Sequence, residues 1–190
     1  MKRGKLIVVS APSGCGKGTI LGRVLEDKAR FYYSVSATTR KPREGEIDGV
    51  HYWFLTRETF EARIGQGEFL EYAQFCDNYY GTPLGPIEEH LAQGQNVILE
   101  IEVQGAMQIR EKRPDAHFIF IAPPSLAVVR ERLIGRGTET MDVIEKRLAQ
   151  AERELGYRGQ YDYCVVNDDL DQAVADFLAV VRAVELTVKP

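Results

Sequence analysis

Residues 11 to 19 read Ala11-Pro12-Ser13-Gly14-Cys15-Gly16-Lys17-Gly18-Thr19 and directly follow the apolar run Leu6-Ile7-Val8-Val9. A glycine-rich turn between a buried strand and a helix aims several backbone N–H groups at one point. The helix N-terminus adds partial positive charge there, and Lys17 adds a full one. That chemistry suits a polyphosphate chain. The stretch departs from the phosphate-loop pattern G-x-x-x-x-G-K-[ST] twice, with Ala11 at the first glycine and Gly18 at the hydroxyl position. Ile20, Leu21, Val24 and Leu25 then fall on one helical face, so the loop sits between strand and helix as the pattern requires. An ordinary strand-to-helix turn is the weaker reading.

A second cationic group lies in Thr38-Thr39-Arg40-Lys41-Pro42-Arg43-Glu44-Gly45-Glu46. Pro42 holds the stretch extended, Gly45 lets it turn, and the planar fork of arginine matches phosphate oxygens in bidentate fashion. A charge run alone is usually a solvated loop; the interleaved Ser, Thr and Tyr hydroxyls shift the reading toward a second phosphate site. Further along, Arg136 stands between Gly135 and Gly137, placed to swing over a bound phosphate, and Arg147 is positioned to join it. Arg130 and Arg132 read as structural. Glu71, Glu100 and Glu102 are the acidic candidates. Glu100 and Glu102 share one side at the end of a core strand, where an acid holds Mg²⁺ through water, touches substrate, or is simply the first solvated residue. Two anion sites on one small core point to phosphoryl transfer between nucleotides, with the donor at Lys17. An acceptor phosphate is already a nucleophile, so no general base is required; what is required is in-line placement, neutralised charge and exclusion of water.

The elements that must position these groups follow from periodicity. Four continuous apolar runs, at 6–9, 97–101, 118–121 and 163–166, read as buried strands. Helical stripes separate most of them: Leu126, Val129 and Leu133; Ile144, Leu148, Ala151 and Leu155; Phe177, Val181 and Val184. This predicts an α/β fold, a parallel sheet covered by helices on both faces. Asp169 with Gln172 resembles a cap for the last helix. Residues 33–95, rich in Tyr, Gly, Pro and Arg, break the rhythm and read as an inserted small mixed β lobe. Residues 135–155 read as a helical lid, leaving 1–32, 96–134 and 156–190 as the core of a single domain.

With 190 residues and a net charge of −4, the chain is expected neither to coat nucleic acid nor to bind an anionic membrane. The three cysteines, at 15, 76 and 164, show no metal spacing and suit a reduced, cytoplasmic setting. The three histidines are scattered and receive no role. No run approaches a membrane span, and Met1-Lys2-Arg3-Gly4 leads straight into a strand, so no signal peptide is expected.

Taken together, these residues resemble the guanylate kinases over nearly the whole chain. The likeness is carried by Ser34-Val35-Ser36-Ala37-Thr38-Thr39-Arg40 with Pro42-Arg43 and Gly45-Glu46, then Gly49 and Tyr52. Glu71-Tyr72-Ala73-Gln74-Phe75, Asn78-Tyr79-Tyr80-Gly81-Thr82, Gln104-Gly105, Arg136-Gly137-Thr138-Glu139-Thr140 and Val166-Asn167-Asp168-Asp169 extend it. The resemblance implies ATP-dependent phosphorylation of GMP to GDP, with Mg²⁺ bound alongside ATP. It implies that Arg40, Arg43, Tyr52 and Tyr80 hold the GMP phosphate, with Glu46 orienting the arginines. Ser36, Glu71, Thr82 and Glu102 would line the guanine edge. Lys17, Arg136 and Arg147 would serve the transferred phosphoryl group, residues 11–19 the ATP phosphates, and Asn167 the neighbourhood of adenine. Gly18 lacks the hydroxyl that often ligates Mg²⁺, which leaves the protein ligands of the metal open, and Glu102 stands where the family often has Asp. Two other readings stand beside this one: a kinase for another nucleoside monophosphate or a ribosyl phosphate, and a non-catalytic guanylate-kinase-like binding module. The oligomeric state is not legible.

Overall fold

The first apolar run forms β1 (Leu6–Ser10), every residue of which is buried, and β1 lies at the centre of a five-stranded parallel sheet. The computed structural model describes residues 2–27, 29–135, 137 and 139–187. In chain order β1 is followed by α1 (Lys17–Val24), β2 (Phe31–Tyr33), β3 (Ala37–Thr38), β4 (Trp53–Phe54) and α2 (Arg57–Gly65). Next come β5 (Phe69–Phe75), β6 (Asn78–Pro83), α3 (Leu84–Ala92), β7 (Asn96–Glu100), α4 (Val103–Lys112) and β8 (His117–Ala122). The chain closes with α5 (Leu126–Gly135), α6 (Met141–Leu155), β9 (Tyr163–Val166) and α7 (Leu170–Leu186).

The large sheet has the order β2-β7-β1-β8-β9, with every neighbouring pair parallel. Its two faces follow the period of two along a strand. Ile7 and Val9 pack with Ile98, Ile119 and Ile121 against α1 and α7, where Ile20, Leu21, Phe177 and Val181 are buried. Leu6 and Val8 pack on the other face with Val97, Leu99 and Phe118, against Ile87 and Leu91 of α3 and Ala106 and Ile109 of α4. Continuous apolar strands thus reflect burial on both sides. Asp169 caps α7 by accepting the Gln172 N–H at 2.9 Å; the Gln172 side chain turns instead to Asp176, so the cap is one-sided.

The second sheet, β4-β3-β6-β5, is mixed: β3 and β4 are parallel, and the other pairs are antiparallel. It encloses a small core of Ala37, Phe60 and Phe69. Phe60 stacks on Phe69 and Tyr79 at 4.3 and 5.3 Å between ring centroids. The small mixed sheet expected beside the parallel one is therefore present, within the stretch 33–95, while elements at both ends of that stretch pack with the large sheet. Tyr33 pairs with Ile98 in the large sheet, and α3 packs beneath that sheet. The fifth core strand, β2, is a three-residue edge strand whose aromatic composition blends with the lobe that follows. Strands β3 and β4 are two residues each, and residues 39–52 between them run through bends, turns and irregular backbone, with one isolated bridge from Asp48 to Tyr52.

Candidate functional site

The loop after β1 is shaped by two residues in the left-handed region, Gly14 and Gly16, each with φ of 80°. A Cβ at Gly16 would overlap the Asn167 amide nitrogen, and one at Gly14 would press on Val129 and Leu133. Glycine is demanded at both positions. Gly16 is the N-cap of α1 and offers no side-chain hydrogen bond, so the first helical N–H groups are left for an anion. Asn167, at the carboxyl end of β9, donates from Nδ2 to the Cys15 carbonyl at 2.7 Å. Cys15 itself is buried among Val129, Leu133 and Ile144, where burial pushes its thiol up to about 12. It pins the loop to α5 and α6, and burial favours its protonated form over the thiolate.

The loop opens into a cavity of about 630 Å³ walled on the far side by α6. Lys17 Nζ lies 3.5 Å from Glu100 Oε1, and Glu100 Oε2 accepts the Tyr33 hydroxyl at 2.8 Å. Arg147 reaches across from α6: its Nε donates to Ser13 Oγ at 2.9 Å, and Nη1 donates to both Glu139 oxygens at 2.7 Å. Arg147 and Lys17 therefore face one space. Arg136 lies outside the described residues. Gly18 also lines the cavity, and a Cβ there would meet nothing within 4 Å, so no steric demand explains this glycine.

A second cavity, of about 360 Å³, lies between the small sheet and the carboxyl end of β7. Ser36, Tyr52, Glu71 and Tyr80 line it from the lobe, and Glu100, Glu102 and Gly105 from the core. Glu71 is 6% exposed and accepts the Thr82 hydroxyl at 2.6 Å. Burial raises the pKa of the Glu71 carboxyl, against the pull of the Thr82 hydroxyl and the Lys112 ammonium. Gly105 gives this carboxylate room, since a Cβ there would lie 3.2 Å from Glu71 Oε2 and collide with Ile101.

Beside this cavity Arg40 pairs bidentately with Glu46 at 2.8 and 2.9 Å, and its guanidinium lies 5.5 Å from the Tyr52 ring centroid. Glu46 also accepts the Arg43 N–H at 2.7 Å. These bonds, led by the Arg40 side chain, hold its carboxyl down at about 2. Tyr52 and Tyr80 meet edge to face at 6.2 Å between centroids. Glu102 lines both cavities, so the two spaces share one carboxylate wall.

The family model for guanylate kinase matches residues 3–184 of this chain. The chain belongs to the guanylate kinase family. A guanylate kinase of Synechocystis is 54% identical over 172 residues, 90% of each chain. One of Listeria innocua is 52% identical over 186 residues, 97% of this chain and 91% of its own. The crystal structure of guanylate kinase from Anaplasma phagocytophilum superposes with a TM-score of 0.77 at 32% identity, over 98% of this chain and 89% of that one.

In this guanylate kinase family member, most of the residues singled out from sequence converge on the two cavities. Residues 11–19, Glu102 and Arg147 line the first; Ser36, Tyr52, Glu71, Tyr80 and Glu102 line the second. Thr82 acts on the second through Glu71, and Arg40 and Glu46 border it through Tyr52. Arg43 joins the group by its backbone N–H. Asn167, expected near a nucleobase, is 5% exposed with its amide committed to the loop, though it also lines a shallow hollow beside Gly16 and Arg132. Sequence reasoning missed Tyr33, Glu139 and Glu154, the last of which accepts the Ser13 N–H at 3.2 Å. Tyr33 and Glu154 owe their places to long-range approaches between elements that no local pattern marks. Glu139 stands in the segment 136–140 and drew no role there, although its partner Arg147 is only eight residues on.

Proposed function

We propose that this protein transfers the γ-phosphoryl group of ATP to GMP, giving ADP and GDP. The observation that carries the reading is the joining of a phosphate-loop cavity to a buried Glu71–Thr82 pocket at Glu102. A GMP phosphate oxygen attacks the γ-phosphorus, and the bond from that phosphorus to the β,γ-bridging oxygen breaks as ADP leaves.

The backbone of residues 11–19 and Lys17 hold the ATP phosphates. Arg147, with Arg136, stabilises charge on the moving group, and the two cavities bring the reacting atoms together. Arg40, Arg43, Tyr52 and Tyr80 hold the acceptor phosphate, with Glu46 keeping Arg40 in place. Ser36, Glu71, Thr82 and Glu102 face the base. Guanine presents N1–H and N2–H donors, whereas adenine presents a bare N1 acceptor, so an ionised Glu71 rewards guanine and repels adenine. A site built to bond one substrate in this way rejects an analogue by about 10⁴ to 10⁵.

Mg²⁺ entering with ATP would find carboxylate oxygens at Glu102, which lines both cavities, and at Glu100, which lines the second, while the Gly18 side chain contributes no oxygen. Phosphate oxygens and water would supply most of its ligands, and the ion would neutralise phosphate charge. In this reading the lobe over 33–95 carries GMP, and the lid over 135–155 closes on ATP and excludes water. No described helix is long and apolar enough to cross a membrane, and we place the activity in the cytoplasm.

A panel of acceptors with ATP and Mg²⁺, followed by ADP release, tests the assignment. GMP should be turned over far faster than AMP or UMP. Comparable rates would overturn the substrate, and no turnover of any acceptor would favour a binding module.

A further inference from the structure

Glu71 owes its aim to an irregularity in β5. Phe69 pairs with Pro83 while Glu71 pairs with Thr82, so Leu70 is an extra residue on that strand. Phe69 is buried in the lobe's own core, and Leu70 is buried in the main core with Ile87, Leu91 and Ile109. Ordinary alternation along the strand sends these two side chains into two different cores; the extra residue resets the alternation after Leu70 and presents Glu71 opposite the Thr82 hydroxyl. The Leu70 carbonyl accepts a bond of 3.0 Å from Nζ of Lys112, the last residue of α4.

We propose that Lys112 is a positioning residue for guanine recognition: its ammonium holds the bulge that aims Glu71 and places a positive charge behind the carboxylate that reads the base. The inference rests on the reading of Glu71 as the guanine ligand. Two charged groups act on Glu71 from the elements packed against it. Lys112 of α4 favours its ionised form, and Glu102, at the N-cap of α4, opposes it. Burial works on the side of Glu102. An ionised carboxylate accepts both guanine donors, whereas a protonated one turns one oxygen into a donor and loses the match. Lys112 thus shifts this balance toward guanine, and its bond to the Leu70 carbonyl fixes it beside the strand that carries Glu71. A bland role as a cation at a helix C-terminus would affect stability alone.

The test compares Lys112→Gln, Lys112→Met and Lys112→Arg with the wild type by steady-state kinetics from pH 5 to 8. Gln keeps a donor for the Leu70 carbonyl without the charge. It should move the acid limb of kcat/KM for GMP upward by about half a unit to one unit. Met removes both and should also raise the KM for GMP by about threefold to tenfold at neutral pH. The KM for ATP should stay within about twofold throughout, and Arg should restore both properties. An unmoved acid limb in the Gln variant would overturn the inference, as would KM values for GMP and ATP rising in parallel. Thermal midpoints identify a variant that is merely unfolded, and the Gln variant carries the test if Met fails to fold. A wild type with no preference for GMP over AMP would instead remove the reading of Glu71. A wild type that prefers GMP, with Lys112 variants unchanged, removes only the role of Lys112.

Discussion

The donor loop and the acceptor pocket solve opposite problems with opposite materials. The loop binds with backbone: Gly14 and Gly16 take conformations and spacings that only glycine fits, and the first turn of α1 faces the cavity. It is pinned from behind by Asn167 and by the burial of Cys15. Such a site reads charge and little else, which suits phosphates common to every nucleoside triphosphate. The acceptor pocket offers side chains, and in the proposed reading its selectivity rests on one buried carboxylate that accepts the Thr82 hydroxyl. Burying that acid raises its pKa, and the compensation is discrimination. Generality is cheap in exposed amides; selectivity needs a desolvated, oriented group.

The contrast can be broken at its strongest points first. Lys17→Ala should lower kcat by about 10² to 10³-fold, because it removes a full charge from the phosphoryl path. Steady-state ADP release measures it, and a change under about tenfold would shift the weight of catalysis away from the loop lysine. Glu71→Ala should lower kcat/KM for GMP by about 10²-fold while leaving the KM for ATP within about twofold. Equal loss for both nucleotides would mean that the two cavities are not separate in recognition.

Smaller effects sharpen the boundary between them. The Tyr33 hydroxyl shares Glu100 with Lys17, so Tyr33→Phe should strengthen the Lys17–Glu100 pair and raise the KM for ATP by about twofold to threefold. A GMP-only effect would assign Glu100 to the acceptor side. Glu46 gives a pH-dependent test with little catalytic content. Its folded pKa of about 2 lies below an unfolded value of about 4.3, so the stability it contributes is present above the latter. That contribution is lost as pH falls through the interval toward 2. Urea midpoints of wild type and Glu46→Gln should differ at pH 6 and converge by pH 2; a gap that persists at pH 2 would mean that geometry rather than charge holds Arg40.

The two regions also differed in how far the sequence disclosed them. Continuous apolar strands announced the large sheet, since burial on both faces leaves a run such as Leu6-Ile7-Val8-Val9 with no alternation to misread. Lys17 and the glycines announced the loop because a backbone site must be contiguous in the chain. The lobe resisted, as its strands β3 and β4 are two residues long and its order comes from turns. Edge strand β2 was hidden for a similar reason, and Tyr33 with it. The set proposed to face guanine became legible through family resemblance, because Glu71, Thr82 and Glu102 are brought together by strand pairing and crossover. Lys112 left no trace in the pattern, since its partner is a backbone carbonyl exposed by a bulge.

Glu102 has a consequence beyond lining two walls. In the proposed reading a carboxylate that faces both nucleotide spaces is a physical route for coupling between them, and linkage requires any such influence to be mutual. Whatever factor bound ATP applies to the dissociation constant of GMP, bound GMP applies to that of ATP. One coupling free energy would then describe both substrates, and its sign would decide whether the ternary complex assembles cooperatively or each nucleotide discourages its partner.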